Sequence, residues 1–154
     1  MDTARLNAAL ANVERVYLDT SVCIAFHSQG ESVHPVARHL IQRVASEQDP
    51  VVGYISVITA AELLVRPLRG VSADVELMHR FLRRVPNLRI IDVDFEVALQ
   101  AANIRALTRL ALPDALIIAT AILSGCQAIV TNDERWSRRL APLYPQFRWI
   151  YLGA

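Results

Sequence analysis

Short runs that are apolar at nearly every position alternate along this chain with longer stretches whose apolar residues recur every three or four positions. The opening "DTARLNAALANVER" places Leu6, Leu10 and Val13 at helical spacing and predicts a short amphipathic helix; "VYLD" after it predicts a buried strand. "SVCIAFHS" predicts a helical turn that Gly30 ends. "ESVHPVARHLIQRVASEQ" carries Val36, Leu40, Ile41 and Val44 on one face and predicts a second amphipathic helix, stopping before Asp49-Pro50. "PVVGYIS" is a β-branched run of strand length, and "VITAAELLVRPL" predicts a helix terminated by Pro67 and Gly70.

The second half repeats the rhythm. "SADVELMHRFLRRV" predicts a helix closed by Pro86-Asn87, and "LRIIDVD" a strand. "FEVALQAANIRALTRL" lines up Val97, Ala101, Ile104 and Leu107 along one stripe. "LPDALIIATAILSG" starts with Pro113 and stops at Gly125, the expected punctuation of a helix, and is apolar almost all round, so it belongs in the interior. "AIVT", "DERWSRRLA" and "FRWIYL" predict a strand, a short helix and a closing strand. Strands alternating with helices predict an α/β domain, a central parallel sheet with helices on both faces. No repeat or linker divides the chain, which predicts one domain over residues 1–154 with residues 1–14 as an N-terminal helical extension.

Four acidic residues stand where these predicted elements change. Asp19 ends the first strand, Glu62 opens the helix after the second, Asp114 follows Pro113, and Asp133 closes "IVTND". In an open parallel sheet, strand-to-helix junctions share the carboxyl edge, where ligands bind. Each residue taken singly also suits helix capping, and Thr59-Ala-Ala-Glu62 fits a capping box. Together they weigh differently, because Asp19 and Asp114 adjoin apolar segments, where an unpaired charge is expensive.

Composition sharpens the point. All 16 basic residues are arginines and the net charge is +1, so the charge balance does not announce a nucleic-acid binder. With no lysine in the chain and few arginines flanking Asp19, Glu62 and Asp114, Arg66 among them, a divalent cation is the economical partner. An all-oxygen donor set favours Mg²⁺ or Mn²⁺ over zinc. Such a cluster suits phosphodiester hydrolysis. The polar neighbours Thr20, Ser21, Ser56, Thr131 and Asn132 then serve either as supports for the carboxylates or as ordinary caps and turns.

These segments are familiar as a set. "YLDTSVCIAF", "SVITAAELLVRPLRG" and "LPDALIIATAILSGCQAIVTND", with acidic residues in the order Asp, Glu, Asp, Asp, resemble the PIN-domain family, and within it the VapC-like toxins of toxin–antitoxin pairs. The resemblance implies a PIN-like three-layer α/β/α fold and a Mg²⁺- or Mn²⁺-dependent ribonuclease, homodimeric and neutralised by a small antitoxin. It assigns Asp19, Glu62 and Asp114 to the family's acidic ligands and Asp133 to the fourth, with Glu134 as the alternative at that position. Thr20, Ser21, Thr131 and Asn132 become supporting residues. Arg66 stands where the family commonly has glycine, and Arg66 or Arg69 is the expected contact for an RNA phosphate or an antitoxin carboxylate.

The remaining features are quieter. Cys23 and Cys126 lack metal-ligand spacing and suit reduced core thiols. The four histidines show no common spacing, Trp136 and Trp149 suit packing, and "RFLRRV" suits a solvated helix face. A hydrophobic fraction of 53% and a mean hydropathy of +0.29 predict apolar surface for a partner. No basic segment leads into an apolar run at the start, and no run approaches the ~20 residues of a membrane span, so a cytoplasmic protein without membrane contact is expected. The missing lysine argues against a receiver-type signalling domain. A PIN fold that only binds, a nuclease outside a toxin–antitoxin pair, and action on DNA all remain compatible with the motif.

Overall fold

The computed structural model of the protein describes residues 1–49, 51–70 and 75–153. The expected strand start at Pro50 and helix start at Ser72 lie outside the described residues. Among those described, β1 (Arg15–Leu18), β2 (Val52–Ser56), β3 (Leu88–Ile91), β4 (Ala128–Thr131) and β5 (Arg148–Tyr151) form one sheet in the order β3-β2-β1-β4-β5. Every neighbouring pair is parallel, with Val16 in register with both Gly53 and Ala128.

The alternation of side chains along the central strands divides the core in two. Val16 and Leu18 of β1 and Ala128 and Val130 of β4 join one cluster, with α1 (Thr3–Ala9), α2 (Thr20–His27), α3 (His34–Ala45), Leu63 of α4 (Val57–Leu68) and α5 (Val75–Arg84). Tyr17 and Ile129, pointing to the other face, join a second cluster with α6 (Phe95–Thr108), α7 (Leu112–Leu123) and α8 (Glu134–Leu140). A strand covered on both faces has no polar side to show, which is why "VYL" and "AIVT" read as unbroken apolar runs. The result is the mixed α/β, three-layer arrangement that the alternation predicted. Among the described residues, no single helix is long and apolar enough to cross a membrane.

Three local expectations differ from the structure. The first helix ends at Ala9, because Asn12 takes a left-handed conformation at φ 61° and turns the chain toward β1. Leu10 and Val13 still reach the core from that turn. Pro67 does not stop α4 but lies in its last turn, where few backbone bonds remain to be lost; the left-handed Gly70 follows just beyond. The proposed capping box fails. Ser56 caps α4 by accepting the Ile58 N–H at 3.1 Å, so Glu62 belongs to the second turn, and Thr59 is fully buried instead.

β2 presses against α3 so closely that Gly53 has no room for a side chain. A methyl group there would lie 2.9 Å from Val44 Cγ1. Gly53→Ala is expected to cost about 1–3 kcal/mol in urea unfolding by overpacking. Val44→Ala in the same chain should recover part of that loss. Simple addition of the two single losses would show that the contact is not the cause.

Candidate functional site

The strand order reverses direction between β1 and β4. β1 leads outward through β2 to β3, whereas β4 leads the other way to β5. That switch point opens a crevice at the carboxyl ends of the two central strands, and the residues after β1 and β4 flank it. A cleft of about 420 Å³ lies there, lined by Asp19, Thr20, Ser21, Ile24, Glu62, Val65, Asp114, Asp133 and Trp136. The four acidic residues singled out in the sequence thus share one cleft.

Asp19 occupies the N-cap position of α2 by backbone geometry, but its side chain does not cap that helix. The carboxylate is 5% exposed and turns to two hydroxyls instead. Ser21 Oγ and Thr131 Oγ1 both donate to Asp19 Oδ2, the latter at 2.8 Å. Each hydroxyl in turn accepts a backbone N–H from the β4–α8 junction: Asn132 N–H donates to Ser21 Oγ and Asp133 N–H to Thr131 Oγ1, both at 2.9 Å. Two short relays therefore polarise the hydroxyl protons toward one carboxylate oxygen. Burial nevertheless pushes the Asp19 carboxyl up to about 6, against the bonds from Ser21 and Thr131, with the Asp114 charge adding a little.

Glu62 comes from α4 and is oriented from α2. Thr20 Oγ1 lies within bonding distance of both Glu62 Oε2 and Thr59 Oγ1. A hydroxyl has one proton and the charged oxygen is the stronger acceptor, so Thr20 donates to Glu62 and Thr59 to Thr20. Asp114 stands in the first turn of α7, a helix without a side-chain cap. Its carboxyl is raised by burial first, then by the charges of Glu62 and Asp133. Burial and mutual repulsion thus raise the proton affinity of two of the four acids, the electrostatic state of a cluster short of positive charge.

Asp133 behaves in the opposite way. It is a genuine cap, accepting the Arg135 N–H at 2.9 Å, and the Arg135 side chain closes onto both of its oxygens. That bonding holds its carboxyl below the usual range. Glu134, the alternative fourth acid, does not line the cleft; it is exposed and paired with Arg138 at 2.6 Å. As the side chains stand, no three His, Cys, Asp or Glu groups among the described residues are drawn together tightly enough to hold one ion. Asp19, Glu62 and Asp133 are each engaged by partners of their own: Ser21 and Thr131, Thr20, and Arg135. The donors are nonetheless all oxygen, face one cleft, and include two carboxylates destabilised in their charged form, a set that fits a hard divalent cation.

The supporting residues divide. Thr20, Ser21 and Thr131 touch the carboxylates by side chain, and Asn132 contributes its backbone N–H to that network. Ser56 instead faces the other way, toward Tyr17 and Thr120. Arg66 lines a neighbouring groove with Glu62, Ile24, His27 and Met78, while Arg69 is the exposed C-cap residue of α4. His27 is half-buried. It packs against Phe26 and Phe81, and burial lowers its imidazole to about 4. Ile24, Val65, Trp136 and Arg135 went unnoticed as site residues. Three were readable: Ile24 and Val65 lie one helical turn beyond Ser21 and Glu62, and Arg135 stands two residues past a capping Asp.

The fold has known counterparts. A toxin–antitoxin complex from Klebsiella pneumoniae matches at 21% identity over 90% of this chain and 98% of that one, with a TM-score of 0.63. VapBC2 from Rickettsia felis, bound to a DNA fragment from their promoter, matches at 20% identity over 89% and 98%, with a TM-score of 0.64. VapC20 of Mycobacterium tuberculosis, described as a Sarcin-Ricin loop cleaving toxin, matches at 20% identity over 80% and 93%, with a TM-score of 0.65. No curated protein sequence matches the chain significantly. The PIN domain family model matches residues 16–140, a span that begins with β1, ends with α8 and contains all four cleft carboxylates, and the chain belongs to the PIN domain family.

Proposed function

We propose that this protein is a divalent-metal-dependent endoribonuclease that hydrolyses RNA phosphodiester bonds and acts as the toxin of a toxin–antitoxin pair. One observation carries the reading: four carboxylates converge on a cleft at the switch point, and burial and repulsion raise two of them. In this reading Asp19, Glu62, Asp114 and Asp133 hold Mg²⁺ or Mn²⁺. Such an ion, when bound, supplies Lewis acidity toward a phosphodiester and its attacking water.

The chain's own residues do the positioning. Ser21 and Thr131 fix the Asp19 carboxylate, with Asn132 N–H holding Ser21 in turn, and Thr20 fixes Glu62. Ile24, Val65 and Trp136 add apolar side chains to the cleft lining. Membership of the PIN family and the likeness to toxin–antitoxin structures support the toxin role. Arg66, in the groove beside Glu62, and Arg69 are suited to an RNA phosphate or an antitoxin carboxylate. We read residues 1–154 as one PIN-like unit working in the cytoplasm, with α1 as an extension packed on α3. Phe95, Leu99, Leu107, Leu112 and Leu123 leave exposed apolar surface on α6 and α7, which supports a homodimer.

Purified protein should cleave single-stranded RNA with Mg²⁺ or Mn²⁺ and stop when EDTA is added. Asp19→Asn and Asp114→Asn should abolish cleavage, and Thr131→Ala should weaken Mn²⁺ binding about tenfold. Cleavage that survives chelation or either Asn variant contradicts the metal role. A protein that binds Mn²⁺ yet cuts no RNA is a binding module or acts on another substrate. For the dimer, light scattering at micromolar concentration should report twice the chain mass of 17.2 kDa, and a monomer refutes it.

The raised Asp19 carboxyl also fixes a pH response. Its proton is held more tightly folded than unfolded, so its contribution to stability is full below about pH 4 and is lost as pH rises through about 6. Metal-free Asp19→Asn should therefore be more stable than wild type at pH 7.5, by about 3 kcal/mol, with the gain vanishing toward pH 4. Mn²⁺ affinity of the wild type should fall as pH drops through 6, because protons compete for the same oxygens. A gain independent of pH would contradict the assignment.

A further inference from the structure

The pairing of Arg135 with Asp133 is unlike anything else in the cleft. Arg135 Nε lies 3.0 Å and 3.1 Å from the two Asp133 oxygens, and Nη2 also donates to Oδ2. The fork thus consumes both oxygens of an acid that the proposed function assigns to the cation. Yet the arginine is held by little else: its side chain is 75% exposed against 23% for Asp133. An ion pair open to water on the cation's side is weak and readily exchanged. Asp133 lines the acidic cleft, so the fork bonded to it stands beside that cleft, and the guanidinium also feels the charge of Asp114.

The geometry that fits a carboxylate fits a phosphate equally well. Parallel N–H donors of a planar guanidinium match two oxygens of either group. A polynucleotide entering the cleft brings a phosphodiester to the mouth, while a cation inside offers Asp133 a stronger partner than an exposed arginine. Resting on the metal-nuclease reading above, we propose that Arg135 is a substrate-exchanged latch: it occupies Asp133 in the free protein, and transfers its fork to an RNA phosphate as Asp133 turns to the cation. Arg135 is then a substrate-binding residue with two linked effects. It weakens cation binding when no RNA is present, and it strengthens the hold on RNA once the cation is in place.

The test is a double-mutant cycle read by calorimetric titration with Mn²⁺ alone, on wild type, Arg135→Gln, Asp133→Asn and the double variant. Arg135→Gln should bind Mn²⁺ about three- to tenfold more tightly than wild type, since it frees Asp133. In the Asp133→Asn background the same substitution should change affinity by less than about twofold, because no carboxylate is left to release. An equal gain in both backgrounds would reveal only the removal of a positive charge near acids, and would overturn the latch. So would no gain in either. The second readout is cleavage of a single-stranded oligoribonucleotide at saturating Mn²⁺, where Arg135→Gln should lose activity through a higher KM rather than a lower kcat; an unaltered KM also overturns the proposal. Wild type that takes up no Mn²⁺ at millimolar concentration refutes the metal-nuclease reading itself, whereas normal Mn²⁺ binding without the predicted cycle refutes the latch alone.

Discussion

A carboxylate buried at the tip of a central parallel strand sets the terms for everything around it. Asp19 is carried there because Val16, Tyr17 and Leu18 are fixed by packing on both faces of the sheet, leaving the next residue no choice of position. Burial costs its charged form stability, and the chain answers with hydroxyls rather than a cation. Ser21 from α2 and Thr131 from β4 meet on one oxygen, and the backbone after β4 supports both. Two strands adjacent in space but 112 residues apart in sequence are thereby joined through the acid at the point where the sheet changes direction.

The layout of the fold was largely legible, because alternation of apolar runs and helical stripes is a property of single segments. What misled were features decided by neighbours. Thr59-Ala-Ala-Glu62 has the spacing of a capping box, yet Ser56 takes the cap. Thr59 is drawn into a buried contact with Thr20, a residue of another helix. Pro67 is a helix breaker in isolation, but in the last turn of α4 it is accommodated. The first helix ends at Ala9, four residues before its apolar periodicity does, as the chain turns at Asn12.

The cleft shows the same division. Convergence of Asp19, Glu62, Asp114 and Asp133 follows from the rule that strand-to-helix junctions of a parallel sheet share an edge. Their differing states do not follow from it. Asp133 is both cap and cleft residue, while Asp19 lies at a cap position without capping. Asp114 is raised by burial and then by acids brought in from other elements, and Asp133 is lowered by an arginine two residues away. A sequence motif names the donors; only the packed chain decides which is strained, which is satisfied and which is held by a neighbour.

The central claim is that this cleft is organised to receive a hard cation between carboxylates from separate elements. Diffraction from crystals soaked in Mn²⁺, recorded with anomalous scattering, tests it most directly. The account predicts a strong peak in the cleft within coordinating distance of Asp19, Glu62 and Asp114 oxygens, lost in Asp114→Asn crystals. A Mn²⁺-soaked crystal with no anomalous peak in the cleft, or with ions bound only at surface acids such as Glu134, would contradict it.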